Sequence, residues 1–145
     1  MAVYTGDMEN RYAVAGGPHL TRHRRAVLEV VRARPAHPTV AEVYDAVRRV
    51  DPGIAHATVY NALHYLVDAG LLAEVRRPDG VARYDRETRP HEHALCRVCG
   101  DVADVRRTPA VARAAAAYAE VATQTGYTIE RHGIAFSGLC PRCQT

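Results

Sequence analysis

Two cysteine pairs, Cys96-x-x-Cys99 and Cys140-x-x-Cys143, restrict the fold of this chain more than any other feature. Two residues between thiolates let both sulfurs face one point from a tight turn, and two such knuckles complete a tetrahedral four-sulfur zinc cage. The pairs stand too far apart for a compact zinc ribbon. The loop between them must therefore enclose secondary structure, and the ion acts as a clip on a small domain. Such binding supplies on the order of 10 kcal/mol of folding free energy. A reducing compartment disfavours disulfides, which leaves metal binding or dithiol redox chemistry for these residues. The expectation is one structural Zn(II) per subunit, held by Cys96, Cys99, Cys140 and Cys143.

At 145 residues the chain has room for one ordinary domain or two small ones. With 48% apolar and 24% charged residues it is globular rather than disordered. No apolar run approaches the roughly 20 residues of a membrane span. The opening MAVYTGDMENRY has neither the basic nor the apolar region of a signal peptide, so a cytoplasmic protein with no membrane partner is expected. A net charge of +3 argues little for nucleic acid, but placement argues more. All 19 basic residues are arginine, and Arg22, Arg24, Arg25, Arg32, Arg34, Arg48 and Arg49 fall in the first third of the chain.

Periodicity divides the chain in two. An arm, 1–18, ends in Gly16-Gly17-Pro18. Thr21 can cap a first helix with Ala26, Val27, Val30 and Val31 at helical spacing. After the turn Arg34-Pro35-Ala36-His37-Pro38, the pair Thr39 and Glu42 forms a capping-box pattern. It opens a second helix with Val40, Val43, Tyr44 and Val47 on one face, closed by Asp51-Pro52-Gly53. A third helix runs from 56–58 through Val59, Leu63, Leu66 and Val67 to Gly70. Strands over 71–77 and 81–84 flank the turn Pro78-Asp79-Gly80. Three helices followed by a hairpin is the order of a winged helix-turn-helix.

Beyond a polar hinge, 85–90, the pattern predicts strands over 93–96, 101–105 and 127–137, with a helix from Pro109 to about Thr125 after the second of them. The alanine-rich run in that helix is expected to pack closely on something. The fold class is thus α/β of the α+β kind: a winged-helix domain over 1–84, the hinge, and a smaller α/β domain over 91–145 built around the zinc clip.

Beside the first knuckle lies His91-Glu92-His93. On a strand, alternate residues share a face, so both imidazoles can reach one ion while Glu92 points away. Asp85, Asp104 and His37 are further ligand candidates. Nitrogen with carboxylate oxygen suits Fe(II), Mn(II) or Zn(II), although a lone histidine is more often a surface or satisfied core residue. The start of the third helix fits a recognition helix whose first turns meet base edges in the major groove, where asparagine can bond adenine. Ala57, Thr58, Tyr60, Asn61 and His64 are the candidates there, with Arg24 from the first helix. An ordinary amphipathic core helix would show the same periodicity.

HPTVAEVYDAV (37–47), ATVYNALHYLVDAGLL (57–72), HEHALCRVCGDVADV (91–105) and GLCPRC together resemble the ferric uptake regulator family, from about Leu20 to Cys143. The run HxHxxCxxCG is the specific part. The resemblance implies a homodimeric repressor, not an enzyme, that binds AT-rich inverted repeats in double-stranded DNA when a regulatory ion is loaded. The second domain would carry the dimer. Within the family the chain is most similar to the peroxide-sensing PerR branch, whose three histidines and two aspartates match His37, Asp85, His91, His93 and Asp104. One Fe(II) or Mn(II) per subunit is implied at these residues, whereas iron sensors typically carry glutamate at the two acidic positions. Asn61 after Tyr60 also agrees with the peroxide branch. The resemblance further implies that hydrogen peroxide, reacting at Fe(II), oxidises His37 or His91 and releases the repressor from DNA. A further site of iron sensors is not expected, because Pro90 and Val111 occupy two of its ligand positions and leave only Glu92 and His132.

Other readings are a supply sensor for Fe(II) or Mn(II) with little peroxide response, a dithiol switch at the four cysteines, and a zinc deaminase. The deaminase signature wants HxE and PCxxC; this chain has His91 adjacent to Glu92 and Pro141 inside the second pair. No small organic substrate is expected. An ion shared between the halves would set the spacing of two recognition helices in a dimer. Because ligand histidines must be neutral, regulation should weaken below about pH 6.5.

Overall fold

The computed structural model describes residues 17–129 and 134–144; the arm up to residue 16 and His132 lie outside the described residues. Helix α1 (Arg22–Arg32) begins where the Thr21 hydroxyl accepts from the Arg24 amide and buries Val27, Leu28 and Val31. Helix α2 (Val40–Arg48) opens with the expected capping box formed in both directions. The Thr39 amide donates to Glu42 Oε2 at 2.7 Å, and the Glu42 amide donates to Thr39 Oγ1 at 3.3 Å. Helix α3 (His56–Asp68) buries Val59, Ala62, Leu63 and Leu66. The chain then turns at Gly70, whose φ of 71° suits a residue without Cβ.

Strands β1 (Ala73–Arg76) and β2 (Ala82–Asp85) form an antiparallel wing, with Ala73 opposite Asp85 and Glu74 opposite Tyr84. Leu72 and Tyr84 join the three helices in one apolar core. Strand β2 runs one residue further than expected, so Asp85 ends the wing rather than opening the hinge.

The second half is a three-stranded sheet in the order β4-β3-β5, with β3 (Glu92–Cys96) antiparallel to β4 (Val102–Val105) and parallel to β5 (Ala135–Gly138). Two expectations change here. The helix over 109–125 is two helices, α4 (Pro109–Ala115) and α5 (Tyr118–Thr125), because the ladder tightens to three-residue spacing where the Ala117 amide meets the Ala114 carbonyl. The last strand starts at Ala135 rather than 127, since β3 offers pairing positions only from His93 to Cys96. Among the described residues little covers the alanine run: in α4 and α5 only Ala115 is buried.

The halves meet over a small second core of Val75, Leu95 and Val102. Beside it, the Arg77 guanidinium of the wing lies against Gly100, where a Cβ would collide with it.

Leu63 is fully buried in the first core. Replacing it with alanine should lower the unfolding free energy of the zinc-loaded protein by about 2–5 kcal/mol in urea titrations. The exposed Asn61→Ala should stay within about 0.5 kcal/mol of the parent.

Candidate metal centre

Strand β2 positions the two ligand candidates of the first half together. It pins the segment before α2 through a bridge between Thr39 and Arg83 and a 2.9 Å bond from the Tyr84 amide to the Pro38 carbonyl. Arg83 Nη1 donates to the His37 carbonyl at 2.7 Å, so His37 hangs from the same strand that ends in Asp85. The Glu87 amide donates to Asp85 Oδ1 at 2.8 Å, which leaves Oδ2 for the imidazoles.

In the second half His93 and Asp104 are direct cross-strand partners on β3 and β4. His91 lies two residues before His93, and their rings are 4.4 Å apart. Glu92 points the other way, as expected, and accepts from the Ile134 amide at 3.0 Å.

All five side chains converge. Asp85 Oδ2 lies 3.2, 2.9 and 3.1 Å from Nε2 of His37, His91 and His93. Asp104 Oδ1 lies 2.8, 3.0 and 3.4 Å from the same three atoms. One ligand atom from each residue fits within 4.8 Å of all the others. Adjacent donors around an ion with bonds near 2.1 Å stand about 3 Å apart, so the spacing is that of one coordination shell.

The protonation pattern carries the same message. His91 Nδ1 sits 2.8 Å from the Arg89 carbonyl oxygen, which only accepts, so the proton of a neutral ring is on Nδ1. The Nε2 lone pair then faces two carboxylate oxygens, a repulsive arrangement unless a proton or a cation lies between them. Without the ion a proton serves. Burial pulls the pKa of His37 down, but its bond to Asp85 and the charges of Asp85 and Asp104 outweigh that and raise it above 6.5. His91 is raised in the same way, against burial, by the Arg89 carbonyl and both aspartates. Burial opposes the ionised form of Asp85, yet His37, His93 and the Glu87 amide hold it well below the usual carboxylate range. The donor set thus fits a divalent cation of borderline hardness.

The four cysteines form a second cluster. The parallel pairing of Cys96 with Gly138 brings the knuckles side by side. Gly100, at φ 75°, closes the first knuckle with its amide on the Cys96 carbonyl at 3.0 Å. A short 3-10 turn, Pro141–Cys143, forms the second knuckle. Cys99 and Cys140 sulfurs are 3.6 Å apart, close to the roughly 3.8 Å edge of a tetrahedron with 2.3 Å zinc–sulfur bonds. The Cys140 and Cys99 amides aimed at Cys96 bring its thiol down to about 5, while the sulfur of Cys140 pushes Cys143 up to about 12. Cys140 is lowered as well, against burial, by the sulfurs of Cys99 and Cys143, and zinc binding displaces the thiol protons that remain.

On α3, Ala57, Tyr60, Asn61 and His64 are exposed and share a face, with Thr58 half-buried beside them. The rings of Tyr60 and His64 are 4.5 Å apart. Arg24 is engaged elsewhere: its guanidinium stacks 3.5 Å above the Tyr65 ring and donates to the His19 carbonyl at 2.9 Å. Sequence reasoning missed Arg83, whose contact to His37 depends on a chain crossing that no spacing announces, and the Arg89 carbonyl, which meets His91 only two residues on.

A model of the Ferric uptake regulator family matches residues 15–137. Over 125 residues the chain is 38% identical to "Transcriptional regulator FurA" of Mycobacterium tuberculosis, covering 86% of this chain and 82% of that protein. It is 33% identical over 127 residues to the "Peroxide operon regulator" of Bacillus subtilis, covering 88% and 85%. The solved structure of the Vibrio cholerae ferric uptake regulator, described as revealing a rearrangement of its DNA-binding domains, superposes with a TM-score of 0.64. It is 26% identical, over 84% of this chain and 92% of that one.

Protons and metal compete for His37 and His91, whose pKa values are raised above 6.5. Mn(II) affinity of the zinc-loaded protein, followed by electron paramagnetic resonance, should therefore fall as pH drops from about 8 to 6, with the loss beginning above 6.5. In the metal-free protein the sign reverses: the raised histidines stabilise the fold below pH 6.5, and that contribution disappears as pH rises through their folded values.

Proposed function

The chain belongs to the ferric uptake regulator family, and on that premise we propose that it is a metal-dependent transcriptional repressor whose regulatory ion joins its DNA-binding half to its dimerisation half. The observation that carries this reading is the convergence of His37 and Asp85 from the first half with His91, His93 and Asp104 from the second. Ion binding favours the arrangement in which all five meet, by its differential affinity for that state. In a homodimer, that arrangement sets the distance between two α3 faces, which must match half-sites in successive turns of the operator.

In this reading residues 1–85 read DNA, 86–90 form the hinge and 91–145 carry the dimer and the zinc clip at Cys96, Cys99, Cys140 and Cys143. Ala57, Thr58, Tyr60, Asn61 and His64, with Arg24 from α1, face an AT-rich inverted repeat in double-stranded DNA. The protein works in the cytoplasm and is not an enzyme. Among the described residues no helix is long and apolar enough to cross a membrane.

The stimulus is hydrogen peroxide. Aspartate at both acidic positions supports this, as does the similarity to the Bacillus subtilis regulator. A bound ferrous ion supplies the electron-transfer chemistry that peroxide requires. The protein's part is access and orientation. Asp104 is half-exposed while His37 and His93 are buried, so peroxide enters from the Asp104 side and meets His91 and His37. Oxidation of either ring removes a ligand, and the halves separate. A second reading, response to Fe(II) or Mn(II) supply, draws on the same donors, because three imidazoles and two carboxylates accept both ions.

Two measurements test this. Operator binding with Fe(II) should be lost after a brief peroxide pulse and persist with Mn(II); equal persistence in both would favour the supply reading. His37→Ala or Asp104→Ala should abolish metal-stimulated operator retention while zinc content is unchanged.

A further inference from the structure

The histidines of the regulatory site are held in different ways. His91 is oriented through its ring, with Nδ1–H on the Arg89 carbonyl. The second nitrogen of a ligating imidazole usually makes such a bond. His37 departs from this: its Nδ1 is buried and has no hydrogen-bond partner among the described residues. Beyond the Nε2 contacts to the two aspartates, its ring is placed through its backbone.

Among the described residues, the side chain that donates to that backbone group is Arg83, 2.7 Å from the His37 carbonyl. The same Nη1 lies 3.7 Å from Glu42 Oε2, the atom that caps α2 by accepting from the Thr39 amide. The guanidinium thus sits between a ligand candidate and the first turn of the helix-turn-helix. Its own Nε is buried without a hydrogen-bond partner among the described residues. A mostly buried cation with an unused donor costs free energy, which is poor economy for a residue whose only role is stability.

We propose that Arg83 is a positioning residue of the regulatory site: through the His37 carbonyl it holds that imidazole for the ion, and it links the ion's presence to the start of α2. The inference rests on the metal-centre reading above. The test titrates Mn(II) into the zinc-loaded full-length protein, followed by electron paramagnetic resonance, for the parent, Arg83→Met and Arg83→Lys, each with His37 intact and with His37→Ala. Unfolding midpoints are measured alongside.

Arg83→Met should weaken Mn(II) binding roughly tenfold, the usual cost of removing an outer-shell partner. Arg83→Lys should recover most of that loss, because an ammonium can still donate to the carbonyl. In the His37→Ala background Arg83→Met should cost nothing more, which a purely structural role would not produce. Equal Mn(II) affinity in parent and Arg83→Met overturns the inference alone. So does an equal loss with His37 present and absent, or a fall in unfolding midpoint shared by both Arg83 variants with binding unchanged. A parent protein that binds no Mn(II) overturns the metal-centre reading and this inference with it.

Discussion

A single carboxylate oxygen, Oδ2 of Asp85, lies within 3.2 Å of three imidazole nitrogens, and an oxygen of Asp104 lies within 3.4 Å of the same three. These atoms come from both halves of the chain. Bringing two carboxylates together among buried rings is unfavourable unless positive charge compensates them. Protonated imidazoles can supply that charge, and one divalent cation balances both carboxylates without them. Among the described residues, the buried apolar cluster shared by the halves is Val75, Leu95 and Val102. Full burial of one such side chain is worth about 1.5–3 kcal/mol, so the polar cluster, rather than a large shared core, decides how the halves sit.

The thiolate clip has a different task. It joins the end of β3 to the segment after β5, and β3 carries His93 near its start with His91 just before it. Keeping β3 in place also keeps the His93–Asp104 pair in register. A closed four-sulfur site suits this permanent duty, since it leaves no open position for chemistry. The nitrogen–oxygen site, half-open at Asp104, suits an ion that comes and goes. Arg77 on Gly100 adds a contact between the wing and the first knuckle, so the clip and the wing tip share a boundary.

Features governed by local chemistry were legible in the residues. Thr39 and Glu42 announced their capping box, Pro78-Asp79-Gly80 the wing turn, and the two CxxC pairs their cluster. His91 and His93 were readable as a pair because strand alternation is a strict rule. Uniting them with His37, Asp85 and Asp104 drew on family resemblance, since a contact across 67 residues leaves no periodic trace. The break at Ala117 escaped because alanine favours an unbroken helix wherever packing does not intervene. The late start of β5 escaped because its length is set by its neighbour. Arg83 was one arginine among 19 until the chain crossing placed it on the His37 carbonyl.

The central claim is that one ion grips both halves of a subunit at once. Hydrogen–deuterium exchange of the zinc-loaded protein, with and without Mn(II), addresses it directly. Slower exchange should appear together in two separated stretches, the amides of Thr39 and Tyr84 beside His37 and those of β3 and β4 beside His93 and Asp104. Protection confined to β3 and β4, with Thr39 and Tyr84 exchanging as before, would contradict it.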